Sequence, residues 1–293
     1  MAKKLRPRRS VLYVPGSNSR AIDKVQELPV DAVILDLEDA VAPDHKLAAR
    51  TQVEAVLEGA KFGHREVVVR VNAMDTPWGK SDLAAVASLP ISAVLIPKLE
   101  SERQLEACRG ALHMGGAPDN LPFWIMAETP RGILNLQTIM ESDQPIAAIV
   151  MGTADLAKNM RIPRGSERAG LRSTLEHCVL VARAYGVSAL DGVETDFHNG
   201  EAFETACLEG KQMGFDGKTL IHPNQVDTAN KVFGVTTEQI AQAIKIVEAW
   251  QAAPEDTGVM VVDGDMVEAL HYEQALKTLA DNREIGKREK DDE

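Results

Sequence analysis

Acidic residues and one arginine stand where apolar runs of this chain end. Asp36-Leu37-Glu38-Asp39 puts three acids in four residues, Arg70-Val71-Asn72 closes a second run, and Glu128-Thr129-Pro130-Arg131 a third. Gly152-Thr153-Ala154-Asp155 and Ile221-His222-Pro223-Asn224 follow two more. Carboxylates gathered at one mouth raise one another's pKa, so they need compensation. A hard divalent cation supplies it, and Mg²⁺ is held by one or two carboxylates plus water and substrate oxygens. Glu128 and Asp155 are the natural metal pair, which leaves Arg70 to grip a substrate carboxylate in a bidentate fork. Taken singly, each acid reads equally well as a cap on the helix that follows it. That reading weakens for Glu128, Asp155 and Arg70 together at three strand ends.

A second group of residues points to an anion. Tyr13-Val14-Pro15-Gly16-Ser17-Asn18-Ser19-Arg20 runs from a strand into a helix carrying Lys24. Such a Gly/Ser/Asn turn offers backbone N–H groups, and Lys46 and Arg50 add positive charge after the second strand. The loop has neither Walker nor GxGxxG spacing. Histidine shows no HExxH or HxH pattern, and only His222, at a strand end, invites a functional reading. There is no GxSxG elbow and no Ser or Cys flanked as a nucleophile.

These residues need a frame. Apolar runs at Ser10–Val14, Ala32–Leu37, Val67–Val71, Ala93–Ile96, Phe123–Ala127, Ala147–Met151, Val187–Leu190 and Thr219–Ile221 read as strands. Continuous apolar character, not alternation, predicts parallel strands buried on both faces. Helical patterns such as Lys46–Leu57, Glu102–Leu112, Leu171–Tyr185 and Glu201–Met213 lie between them. Eight strand–helix alternations over about 220 residues match an α/β fold of the (β/α)8 barrel type, with an open doubly wound sheet as the alternative. The catalytic barrel is expected over 1–225 and a small C-terminal lid extension over 226–293. The extension reads as a helix at Thr237–Gln251, a short strand at Gly258–Asp265 with a turn at Gly264, a helix at Met266–Leu279, and a charged, frayed tail from Asp281.

Composition narrows the class. The 293 residues carry 32 Lys+Arg and 44 Asp+Glu, a formal net charge of −12, with 44% hydrophobic and 26% charged residues. Lys3, Lys4, Arg6, Arg8 and Arg9 crowd the start, leaving the rest still more acidic, so nucleic acid and anionic membrane are not expected partners. Cys108, Cys178 and Cys207 are odd in number and form no CxxC, which fits reduced, buried thiols and a cytoplasmic location. The start lacks the apolar stretch a secretory leader needs and no run approaches membrane length, so neither a leader nor a membrane span is expected.

SVLYVPGSNSR, DAVILDLEDAV, VVVRVN, AETPRGILN, MGTADLAKN and GKTLIHPNQ occur in the order seen in the citrate lyase β-subunit-like family, which also contains malyl-CoA and citramalyl-CoA lyases. The resemblance covers about residues 8 to 275 and implies a TIM barrel using Mg²⁺, often a homotrimer. The implied reaction makes or breaks a carbon–carbon bond in a 3-hydroxyacyl-CoA thioester, with a small oxo or hydroxy acid as the other partner. Thioester hydrolysis, and action on a carrier-bound citryl thioester, are its alternatives. By motif, Glu128 and Asp155 resemble the Mg²⁺ ligands, and Arg70 the substrate clamp. Glu38 and Asp39 resemble the groups that orient metal-bound water. Tyr13, Pro15, Gly16, Arg20, Lys24 and Lys46 resemble CoA-binding elements, and Ile221, His222 and Pro223 the thioester channel. Family members often supply a catalytic acid from a lid that closes over a neighbouring subunit. The matching position here is Glu268, where Asp is expected, one methylene longer.

Overall fold

The computed structural model of the chain describes residues 6–59, 61–165, 167–254 and 257–292. Eight parallel strands close into one barrel: β1 (Ser10–Pro15), β2 (Ala32–Asp36), β3 (Glu66–Arg70), β4 (Ala93–Ile96), β5 (Phe123–Ala127), β6 (Ile146–Met151), β7 (Ser188–Asp191) and β8 (Gly217–Leu220). Each pairs with its successor, and β8 returns to β1 through Val11 and Thr219. The barrel alternative is thus realised and the open sheet is not.

The interior is filled by every second residue. Val11, Ala32, Ile34, Val68, Leu95, Trp124, Met126, Ala148 and Val150 form the enclosed cluster. Side chains of a strand alternate between faces, so the same parity carried one step toward the C-terminal ends selects Tyr13, Asp36, Arg70, Glu128 and Gly152. The apolar filling and the polar mouth are two stretches of one alternation.

The strand expectations hold to within about two residues, and the departures have physical causes. β8 starts at Gly217 because a Cβ there would stand 1.8 Å from the Arg8 carbonyl oxygen, so only glycine lets β8 meet the chain start. Lys218 enters this strand buried, which its type does not suggest, because its ammonium meets the equally buried Asp191 at 2.9 Å. Arg8 and Arg9, part of the basic start, are held at the barrel floor by Glu66 at 2.7 Å and Asp31 at 2.9 Å.

The chain divides into two compact units, Arg8–Val232 and, with the N-terminal residues through Pro7, Phe233 onward. The helix Val226–Phe233 is tied to the barrel unit by Asn230, which accepts from the Ser10 hydroxyl at 2.7 Å and donates to the Pro29 carbonyl at 2.6 Å. The second unit holds the helix Thr237–Ala252, a hairpin of β9 (Val259–Val262) and β10 (Asp265–Glu268), and the helix Ala269–Asp292.

Two expectations for that unit are corrected. Met266–Glu268 belongs to a strand, not to the last helix, because Asp263 and Gly264 take φ of 54° and 94°, the pair of positive angles that a two-residue hairpin turn requires. The last helix does not end at Leu279: it runs on through Asp281 to Asp292. Its charges are spaced for pairing, Lys277 with Asp281 at 3.0 Å and Lys287 with Glu284 at 2.5 Å, and Ala275 and Ile285 are buried.

Candidate active site

The barrel mouth is organised by one ion pair. Asp36 and Arg70 are register partners on β2 and β3, so their side chains share a face and meet directly. Arg70 donates from Nε to Asp36 Oδ1 at 2.7 Å and from Nη2 to Oδ2 at 2.6 Å. The same carboxylate accepts the Glu38 and Ala40 N–H groups at 2.8 and 3.0 Å, which turns the chain after β2 back over the mouth. Tyr13 lies under the guanidinium, 4.8 Å from Cζ to ring centroid, and burial raises its phenol well above the ordinary value.

This corrects one expectation. The bidentate fork of Arg70 holds Asp36 and is not open to a substrate carboxylate. What remains is the outer edge, where Nη1 meets Glu38 Oε2 at 3.0 Å and approaches Asp39 Oδ2 at 3.9 Å. Glu38 is buried, and burial raises its carboxyl despite the opposing Arg70 charge. Asp39 is largely exposed.

Lys98, which the sequence reading passed over, stands at the centre of the acids. Its ammonium pairs with Glu38 Oε1 and lies 3.7 Å from Asp39 Oδ1 and 4.0 Å from Asp155 Oδ2. Burial works to lower it, but the Glu38 carboxylate dominates the opposing effects, and the ammonium is pushed up to about 12. Its backbone N–H donates to Glu128 Oε1 at 2.7 Å. The signal was present: Pro97-Lys98 follows β4 as the other functional residues follow their strands.

Glu128 follows β5 directly and is almost fully buried, and Asp155 lies one-third exposed in the first turn of the helix Thr153–Asn159. Burial first, and the Glu38 charge second, push the Glu128 carboxyl up to about 7. Gly152 makes room for it, since a Cβ there would lie 2.4 Å from Glu128 Cβ and 2.5 Å from Oε2. Among the described residues no group of three or more His, Cys, Asp or Glu is arranged to hold a metal alone. Two carboxylates with hard oxygens, one given its room by a residue lacking Cβ, nonetheless match what Mg²⁺ asks of a protein.

The remaining expected residues fall into separate places. Lys46 is buried, and its ammonium donates to the Leu37 and Glu38 carbonyls and to Asn72 Oδ1 at 2.9, 2.7 and 2.7 Å, a scaffold role beside the cavity it lines. Asn72 is in turn held by Asp82, and Asp82 by Arg50. Gly16 brings its N–H to the Asp36 carbonyl at 2.8 Å, an approach that a Cβ 2.9 Å from the same oxygen would hinder. Pro15 ends β1, and Arg20 and Lys24 are exposed on the helix Ser19–Val25. Ile221 is partly exposed, Pro223 opens a short turn, and His222 stacks on Phe197 at 4.7 Å while its Nδ1 accepts the Asn224 N–H. Glu268 ends β10, where its N–H donates to His271 Nδ1 at 3.0 Å. A cavity of about 790 Å³ opens beside Glu38, Asp39 and Lys98, walled by Trp78, Ile96 and Leu99. Of the residues expected to bind CoA, Lys46 alone lines it.

Comparison with known proteins agrees with this fold. The sequence profile of the HpcH/HpaI aldolase/citrate lyase family matches residues 9–223, the whole barrel. The chain belongs to this family. Within it, the chain is 45% identical to a (3S)-malyl-CoA thioesterase of Cereibacter sphaeroides over 281 residues, covering 96% of each protein. It is 33% identical to the citrate lyase β subunit of Escherichia coli, covering 95% of this chain and 94% of that one. CitE of Mycobacterium tuberculosis, solved with magnesium, acetoacetate and coenzyme A, superposes with a TM-score of 0.78 at 27% identity, covering 95% of this chain and all of the other. The resemblance to the citrate lyase β-like proteins is therefore real at family level, and the barrel is their barrel.

Proposed function

We propose that the protein is a Mg²⁺-dependent hydrolase of a 3-hydroxyacyl-CoA of the malyl-CoA type, releasing free CoA and the intact hydroxy acid. The observation that carries this reading is the 45% identity, across nearly the whole chain, to a protein named for that reaction. The acid cluster at the barrel mouth is where it would occur. Carbon–carbon cleavage of the same thioester, which the sequence resemblance favours first, is the second reading. It is supported by the 33% identity to a citrate lyase subunit and by Arg70, a buried cation beside the acids where enolate charge would develop.

Glu128 and Asp155 would hold the metal, with Gly152 leaving room for Glu128 and the Lys98 N–H orienting it. Bound there, Mg²⁺ supplies Lewis-acid polarisation and a template for the acid's oxygens. The protein's own groups do the rest. Asp36 holds the Arg70 guanidinium over Tyr13, and its Nη1 edge would meet the substrate carboxylate as Glu38 lets go of it. Glu38, its carboxyl raised by burial, is placed to take a proton from the attacking water, with Asp39 orienting it. That water adds to the thioester carbonyl, the carbon–sulfur bond breaks, and the proton goes to the leaving thiolate. The cavity walled by Trp78, Ile96 and Leu99 has the size of a small-molecule site and takes the thioester arm. Exposed Arg20 and Lys24 suit the phosphates of CoA. By the family resemblance, Glu268 would act as a catalytic acid at the mouth of a neighbouring subunit in a homotrimer.

The test is incubation of the purified chain with Mg²⁺ and malyl-, citramalyl- and citryl-CoA, with products resolved by mass spectrometry and an EDTA control. Free CoA with intact hydroxy acid, lost with EDTA, supports hydrolysis. Oxo acid with a shorter acyl-CoA replaces it with the lyase reading.

A further inference from the structure

We propose that Lys98 is a tethered counter-cation of the acid cluster, competing with the divalent ion for the carboxylates and displaced from them when the ion binds. The inference rests on Glu128 and Asp155 being the metal pair and adds a built-in competitor to that site.

Three observations carry it. First, five carboxylates (Asp36, Glu38, Asp39, Glu128 and Asp155) face three cations, Arg70, Lys46 and Lys98, and the Lys46 ammonium is bonded to two backbone carbonyls and Asn72. Arg70 is committed to Asp36 and Glu38, whereas Lys98 reaches across to Glu38, Asp39 and Asp155. Second, one residue contacts both candidate ligands, Glu128 through its backbone N–H and Asp155 through its ammonium. An ion bound through Asp155 Oδ2 at about 2 Å would lie no more than about 6 Å from that ammonium, close enough for strong like-charge repulsion. Third, Lys98 holds φ of 50°, the left-handed region that side chains other than glycine's disfavour, and the Glu128 bond stabilises it there. Its side chain is 39% exposed, so the ammonium has a path outward to water.

Two ligands of opposite preference for one site are linked reciprocally, and such couplings commonly amount to about 5–150-fold in affinity. Mn²⁺ binding is followed by the loss of its free EPR signal in wild type, Lys98→Met, Lys98→Arg and Asp155→Ala, with urea unfolding in EDTA as the second measurement. Lys98→Met should bind Mn²⁺ about tenfold more tightly than wild type and unfold at lower urea when metal-free. Lys98→Arg should stay close to wild type in both. Tightening separates this role from a merely structural one, since damage to the site would weaken binding. Equal or weaker Mn²⁺ binding by Lys98→Met, with wild type still binding, overturns the counter-cation and leaves the metal pair standing. Failure of the metal pair looks different: wild type would hold no Mn²⁺ that Asp155→Ala releases, and both ideas would fall.

Discussion

A single methyl group placed at Gly152 tests how the site is held. The Gly152 backbone lies at φ −96° and ψ 73°, so alanine there meets no left-handed strain and its effect is steric. The new Cβ would stand 2.4 Å from Glu128 Cβ and 2.5 Å from Glu128 Oε2. An ordinary contact begins near 3.4 Å, so relief requires a displacement of about 1 Å. It cannot be absorbed by a flexible chain end, because Glu128 Cβ is fixed to β5. Mg²⁺ and Mn²⁺ sites tolerate little such movement, and misplacement by about 1 Å costs on the order of 100-fold in rate. Gly152→Ala should therefore weaken Mn²⁺ binding by about 10–100-fold and lower kcat/KM by about 100-fold in saturating Mg²⁺. Gly110→Ala is the control: its Cβ meets nothing within 4 Å on the helix Glu102–Met114, and alanine should stabilise by about 0.5–1 kcal/mol. Titration by EPR and steady-state kinetics on both variants decide the matter. Mn²⁺ affinity within twofold of wild type in Gly152→Ala would refute the claim that this contact sets the position of Glu128.

Asp155→Ala should abolish turnover with the fold intact by circular dichroism, and residual activity above about 1% would remove Asp155 from the metal pair. Asp36→Asn strips one partner from a buried pair and should cost about 3–5 kcal/mol in urea unfolding, against a surface substitution's few tenths. The Glu128 carboxyl, held near 7 when ordinary carboxyls lie near 4.5, binds its proton more tightly in the folded state. Its stabilising effect is complete below about pH 4.5 and is lost as pH rises through 7, so metal-free protein should lose about 1 kcal/mol between pH 6 and pH 8 through this group. Glu128→Gln should flatten that part of the urea profile. Cys108, Cys178 and Cys207 are buried, with thiols pushed up to about 12, so none should react promptly with a disulfide reagent at pH 8 until the protein is unfolded.

Much of the frame was legible because a parallel barrel writes itself as apolar runs, and its mouth as the residues that follow them. Asp36, Glu38, Arg70, Glu128 and Asp155 were all found that way. Which of their bonds were already made was not legible. That Arg70 turns its fork to Asp36 depends on the register of β2 against β3, and that Lys46 is buried depends on where Asn72 lies. Both are facts of pairing across the barrel, not of local sequence. The role of Lys98 is not legible from a lone lysine after a proline, because its left-handed backbone and its place among the acids exist only in three dimensions. Lys218 was hidden for the same reason, its buried partner Asp191 lying on the neighbouring strand. At the C-terminal end, Met266 and Val267 fit a first helical turn as well as a strand, and the Asp263-Gly264 turn decided between them.

Under the proposed hydrolysis the barrel mouth cleaves the thioester and leaves the acid's carbon skeleton whole. The most direct measurement is turnover of (3S)-malyl-CoA in water enriched in ¹⁸O, with Mg²⁺, followed by mass spectrometry of all products. The account predicts free CoA and malate carrying one ¹⁸O in the carboxylate that was the thioester, with none formed in EDTA. Glyoxylate together with acetyl-CoA as the main products would contradict it.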